Sequence, residues 1–192
     1  MFARLDVLEV LPVLNPGPAG RSNNDNGKRN SSVPFSSLLK KYPSHTAFST
    51  NPGSVPSLWS LVGGHVAMNA WQDQAGGIPN NTCAIRMSYA LNFSGLTIPK
   101  MNGTVSGADG SQYFMRVRDL QGFLNSALGK PIVLSGGSFA GPPGETGIIS
   151  FNIPFRDATG HFTLWDRDHA VDQDEPYSDW PKPTSALFWR VP

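Results

Sequence analysis

Cys83 is the only cysteine among 192 residues, and it opens a helix-like stretch that runs from Asn81 to Asn92. A single cysteine forms no internal disulfide and builds no multi-thiolate metal site. It is then either a small buried hydrophobe or a reactive thiol. A helix start offers free N–H groups and a partial positive charge, and both stabilise a thiolate. Further along, Gly160-His161-Phe162-Thr163-Leu164-Trp165-Asp166 sets a histidine at the start of an apolar run, and more acids follow it. A thiol, an imidazole and a carboxylate together can transfer an acyl group. The thiol attacks, the imidazole accepts and returns the proton, and the third group fixes the imidazole's tautomer.

Cysteine on a helix start, histidine on a strand start and then a carboxylate is the chain order of papain-like thiol hydrolases. Arg167-Asp168-His169 reads as a turn, which makes Ala170-Val171-Asp172 a returning strand and puts Asp172 beside His161. Asp166, Asp168, Asp174 and His169 compete for the same role. The Cys83 backbone N–H is the expected oxyanion donor, assisted by a side chain from Asn80 or Asn81. The residues alone leave other readings open: Cys83 as packing, His161 as a structural histidine, and the acids at 166–174 as a solvated turn. His45 and His65 read as structural or exposed, with no metal ligands near them.

The elements that must hold these groups are legible in part. Phe35, Leu38, Leu39 and Tyr42 share a face of a short helix ended by Pro43. A glycine pair, Gly63-Gly64, enters a helix that reaches Trp71. In the Cys83 helix Ala84, Met87 and Leu91 share a face, and Ser94-Gly95 stops it. Val117, Leu120, Phe123, Leu124, Ala127 and Leu128 form the apolar stripe of another helix, capped by Gly129. Residues 44–57 and 100–112 read as loops. After Gly129 the period becomes that of strands, at 131–134, 146–152, 161–165, 170–172 and 186–191. Helices first and strands second predict an α+β domain with an antiparallel sheet.

Composition narrows the function. Fifteen basic and fourteen acidic residues nearly cancel, with no basic stripe among aromatics, which argues against nucleic acid as a partner. No apolar run is long enough to span a bilayer. The apolar start, Met1 to Pro12, contains acids and lacks a small-residue cleavage site, so no cleavable signal peptide is expected. Residues 1–34, rich in Asn, Gly and Pro towards their end, read as an N-terminal arm or linker, and 35–192 as one domain.

The stretch from Asn81 to Gly95 resembles the active-site helix of the fourth family of type VI secretion amidase effectors. Val62 to Asn69, Tyr113 to Leu120, Gly129-Lys130-Pro131, Thr146 to Phe151 and Asp157 to Asp166 agree in order. The resemblance covers about residues 35–192. It implies a papain-like fold of the NlpC type with Cys83 as nucleophile, His161 as base and acid, Asp172 as orienting acid, and no cofactor or metal. It also implies cleavage of the γ-D-glutamyl–meso-diaminopimelate bond of peptidoglycan stem peptides. Such proteins pass from the producer cytoplasm to a rival's periplasm through the type VI apparatus, and a cognate immunity protein protects the producer. An acidic substrate calls for positive charge in the groove, for which Arg86, Arg116 and Arg118 are candidates. Members often carry a cysteine pair after the histidine strand; here 167–176 has none, and tryptophan and phenylalanine must supply the stability. The rival readings are a thiol transferase or deamidase on the same scaffold, and a non-catalytic binding module.

Overall fold

A computed structural model describes residues 33–51, 54, 56–72, 81–172 and 175–192. The expected arm therefore lies almost wholly outside the described residues. Its last two positions belong to the domain, since Val33 is buried in the core and the Phe35 N–H, next after Pro34, donates to the Pro192 carbonyl at 2.7 Å. The two ends of the domain are thereby joined.

Among the described residues, five α-helices precede or flank a five-stranded sheet. Helix α1 (Phe35–Lys41) buries Phe35 and Leu38 and gives way to extended backbone at Tyr42, as Pro43 requires. Helix α2 (Leu58–Val62) is started by a capping box between Ser57 and Ser60, which satisfies two otherwise free N–H groups. Helix α3 (Gly64–Gln72) follows at once. The glycine pair is required here. Gly64 has φ +60°, and a Cβ on it would stand 2.5 Å from the Ala108 nitrogen, whose N–H donates to the Val62 carbonyl.

Helix α4 (Cys83–Phe93) is buried on nearly every side and closes where Gly95 takes φ +101°. Residues 100–112, expected as a loop, hold most of a hairpin: β1 (Thr104–Ser106) pairs with β2 (Gln112–Phe114). Each strand is three residues long, too short for periodicity to show. Helix α5 (Val117–Ala127) buries Val117, Leu120, Phe123 and Leu124.

The strands β3 (Ile132–Ser135), β4 (Glu145–Asn152), β5 (Gly160–Arg167), β6 (His169–Ala170) and β7 (Ser185–Arg190) form one sheet in the order β3-β7-β4-β5-β6. The pairings are antiparallel, as expected for this α+β fold. Alternation divides β5 between two cores. Phe162 and Leu164 pack with Ala84, Met87 and Leu91 of α4. Trp165 packs on the other face with Ile149, Phe151 and Phe188, beneath Phe139, Tyr177 and Trp180. No helix among the described residues is long and apolar enough to cross a membrane.

Candidate active site

The site is built on an open strand edge. Strand β6 pairs with β5 only at Trp165 and Asp166, and the Val171 N–H adds one bond to Leu164. Beyond Leu164 the outer edge of β5 lacks a strand partner. The start of α4 fills that gap. The backbone N–H groups of Phe162 and Ala84 act on the Cys83 thiol and favour its charged form. Thr82, the residue before the helix, does not cap it; its hydroxyl accepts from Arg86 Nε at 3.1 Å, leaving the first N–H groups of α4 free of side-chain caps.

His161 shares the face of Thr163 and Trp165, opposite the face that packs on α4. His161 and Cys83 line one cavity.

Asp172 is buried and comes to rest beside Thr163. Its Oδ2 accepts from the Tyr42 hydroxyl at 2.6 Å and lies 3.4 Å from Thr163 Oγ1. Asp172 Oδ1 and His161 Nε2 are two of the five buried side-chain atoms among the described residues that have no hydrogen-bond partner. Thr163, beside which Asp172 lies, is two residues along β5 from His161 and on the same face. The competing acids point elsewhere. Asp166 pairs with Arg167 at 3.0 Å and Asp168 with His169 at 2.7 Å, both at the exposed turn, and Asp174 lies outside the described residues.

Burial sets the protonation of this group. It pushes the Cys83 thiol up to about 11, against the pull of the two backbone N–H groups. It holds His161 down to about 4. It also raises Asp172, which the Tyr42 hydrogen bond pulls back. The thiolate expected from a helix start does not prevail, because desolvation opposes the charged form more strongly than the helix end favours it. At neutral pH a neutral thiol faces a neutral imidazole.

Rings hold the imidazole. Its centroid lies 5.0 Å from Trp180 and 5.9 Å from Tyr177. Trp180 also meets Phe155 at 5.2 Å, and Phe139 bridges Phe151 and Tyr177. This packing fixes the segment after β6 while the only cysteine of the chain stays free.

A cleft extends to both sides of Cys83. One cavity, of about 330 Å³, is lined by His45, Asn81, Cys83, His161, Glu175 and Trp180 among others. His45 Nε2 stands 2.9 Å from Glu175 Oε1, so this histidine belongs to the cleft, whereas His65 is exposed. The second, of about 340 Å³, also reaches Cys83 and is lined by Met115, Arg116, Arg118, Asp157 and Thr159. Asn81 lines both and donates to Asp157 Oδ2 at 3.1 Å; Asn80 lies outside the described residues.

Arg86 is a correction. It is fully buried, and its guanidinium donates to the carbonyls of Pro43 and Ser44 at 2.6 and 3.0 Å and of Phe48 at 2.8 Å. It tethers the segment after α1 to α4 and cannot touch a substrate. Tyr42, read from the sequence as part of an apolar face, is the site residue that the sequence pattern conceals; its hydroxyl carries no periodic signal. Among the described residues no cluster of His, Cys, Asp or Glu could hold a metal ion.

Comparison with known proteins agrees with this geometry. The family model for type VI secretion system amidase effector protein 4 (Tae4) matches residues 80–189. The chain is similar to Tae4 in the Tae4–Tai4 effector–immunity complex of Enterobacter cloacae, with 33% identity, 83% of this chain and 99% of that chain covered, and a TM-score of 0.68. For the Tae4/Tai4 effector–immunity system of Salmonella typhimurium the values are 28%, 83%, 99% and 0.67. For a further structure of the type VI effector Tae4 from Enterobacter cloacae they are 32%, 83%, 97% and 0.63. No curated protein matches. With a family model spanning more than half of its length, and with a cysteine, a histidine and a cleft arranged on the matching fold, the chain belongs to the fourth family of type VI secretion amidase effectors.

Proposed function

We propose that the protein is an antibacterial cysteine amidase that hydrolyses the γ-D-glutamyl–meso-diaminopimelate bond of peptidoglycan stem peptides. The observation that carries this reading is that Cys83 and His161 line one cleft on the fold shared with the amidase effectors. Cys83 attacks the γ-carbonyl carbon as its proton passes to His161. Because both groups rest neutral, the proton moves during attack and no ion pair waits beforehand. The oxyanion takes the Cys83 N–H, with the Asn81 amide as a second donor. The intermediate collapses as His161 returns the proton to the departing diaminopimelate amine. Water, deprotonated by His161, then releases the glutamyl acid and restores the thiol. Asp172 Oδ1 orients His161 through Nε2, and an ionised carboxylate there makes the imidazole a stronger base.

The domain expected over 35–192, which begins two residues earlier at Val33, acts as the amidase unit, and the residues before it as an arm outside it. A type VI apparatus delivers the protein from the producer cytoplasm into the periplasm of a rival. The relatives solved as effector–immunity complexes support a cognate immunity protein; one that plugs the Cys83 cleft would keep the substrate out.

The test is incubation of the wild type and Cys83→Ala with purified Gram-negative sacculi, followed by muropeptide mass spectrometry. Stems shortened to the glutamyl residue, with the wild type only, are the expected result. No cleavage by either protein refutes the bond assignment, and equal cleavage by both refutes the nucleophile.

A further inference from the structure

The two cavities that meet at Cys83 differ in charge. In the first, a cation-forming group already faces an acid, His45 against Glu175. In the second, Arg116 and Arg118 both line the wall, both are exposed, and neither forms an ion pair among the described residues. The only acid lining that cavity, Asp157, already accepts from Asn81. Arg116 and Arg118 flank Val117, the first residue of α5, whose N-terminus has no side-chain cap. The helix end thus adds partial positive charge to the same wall. Two guanidinium groups left without a carboxylate, in a concave site open to the nucleophile, match a planar anion.

We infer that the Arg116–Arg118 cavity is a substrate subsite that binds a carboxylate of the peptide beside the scissile amide. The inference rests on the amidase reading, because that substrate carries carboxylates on both sides of the bond: the α-carboxylate of the γ-linked glutamyl residue and the side-chain carboxylate of diaminopimelate. Arg116 and Arg118 take one of them, so that the peptide enters the cleft in a single direction. They bind and orient the substrate and take no part in the bond exchange.

The experiment measures binding of three synthetic stem peptides to Cys83→Ala protein by calorimetry: the parent, one with the glutamyl α-carboxylate amidated, and one with lysine in place of diaminopimelate. Each is compared in an Arg116→Gln/Arg118→Gln background. Loss of the recognised carboxylate is expected to weaken binding about tenfold in the arginine protein, as for hydrogen bonds to charged groups. The peptide that shows the loss identifies which carboxylate is held. In the double-glutamine protein the parent peptide binds about tenfold more weakly, and the difference between peptides vanishes. A preference that survives the double substitution overturns the subsite, as does equal binding of all three peptides or no binding to the arginine protein. Turnover by the Cys83 protein is read separately. Absent hydrolysis with arginine-dependent binding refutes the bond assignment and leaves the subsite standing. Circular dichroism of the double variant, expected unchanged, separates loss of recognition from loss of fold.

Discussion

Replacing Tyr42 with Phe keeps the buried ring and removes only its hydroxyl, whose short bond is to Asp172 and whose second acceptor, the Phe162 carbonyl, is 3.4 Å away. That hydroxyl donates to Asp172 Oδ2 at 2.6 Å, and the remaining contact of that oxygen, Thr163 Oγ1, is 3.4 Å away. A buried hydrogen bond to a charged group is worth about 2 kcal/mol and one to a neutral group about 1 kcal/mol. The penalty must then depend on pH. Asp172 is raised by burial and lowered by Tyr42. A carboxyl whose folded value is raised contributes stability below its unfolded value and loses it as pH rises through the folded value. Without Tyr42 the folded value rises further, and the loss reaching neutral pH grows. Urea melts of wild type and Tyr42→Phe are expected to differ by about 2 kcal/mol near pH 7 and by about 1 kcal/mol near pH 3.5. An equal penalty at both pH values, or none at either, refutes the argument that the hydroxyl holds an ionised Asp172.

Arg86→Met strands the Pro43, Ser44 and Phe48 carbonyls and is expected to cost about 3 kcal/mol in urea melts; a cost below about 1 kcal/mol would show that water replaces the guanidinium. His161 is held down to about 4 from 6.5. A base lowered in the folded state contributes stability above pH 6.5 and loses it as pH falls to 4, a swing of about 3 kcal/mol that His161→Gln should remove from melts taken across that window. Alkylation of Cys83 by iodoacetamide should stay slow at neutral pH and climb towards pH 11, following the buried thiol; a plateau already reached at pH 7 contradicts a neutral resting pair. Gly64→Ala forces a Cβ against the Ala108 backbone at a positive φ and is expected to cost about 2 kcal/mol in thermal melts.

The sequence announces groups whose chemistry depends on residue type and order. Cys83, His161 and Asp172 stand out as candidates because a lone thiol, a strand-start histidine and a returning strand each leave a mark in the chain, though the strand expected over 170–172 is His169–Ala170 and stops short of Asp172. Helices α4 and α5 are legible because their apolar faces repeat over three turns. The hairpin at 104–114 is hidden, since strands of three residues give alternation nothing to act on. Arg86 misleads because a guanidinium that binds carbonyls deep in the core has the same letter as one that binds substrate, and only burial separates them. Tyr42 is legible as core and illegible as a hydrogen-bond donor to Asp172, some 130 positions away. The raised thiol is likewise a product of packing: the helix start is local and readable, whereas the desolvation that outweighs it comes from distant segments.

A strand edge without a neighbour captures other extended chains and lets sheets grow from molecule to molecule. In this fold β6 stops after two residues, and the exposed stretch of β5 is stoppered by Cys83 and Tyr42, each delivered by a helix from earlier in the chain. Assembling the chemistry and sealing the sheet are therefore one event. On the proposed mechanism, a molecule in which α1 and α4 have come away from β5 would be both inactive and adhesive, so self-association in solution is expected to accompany loss of activity.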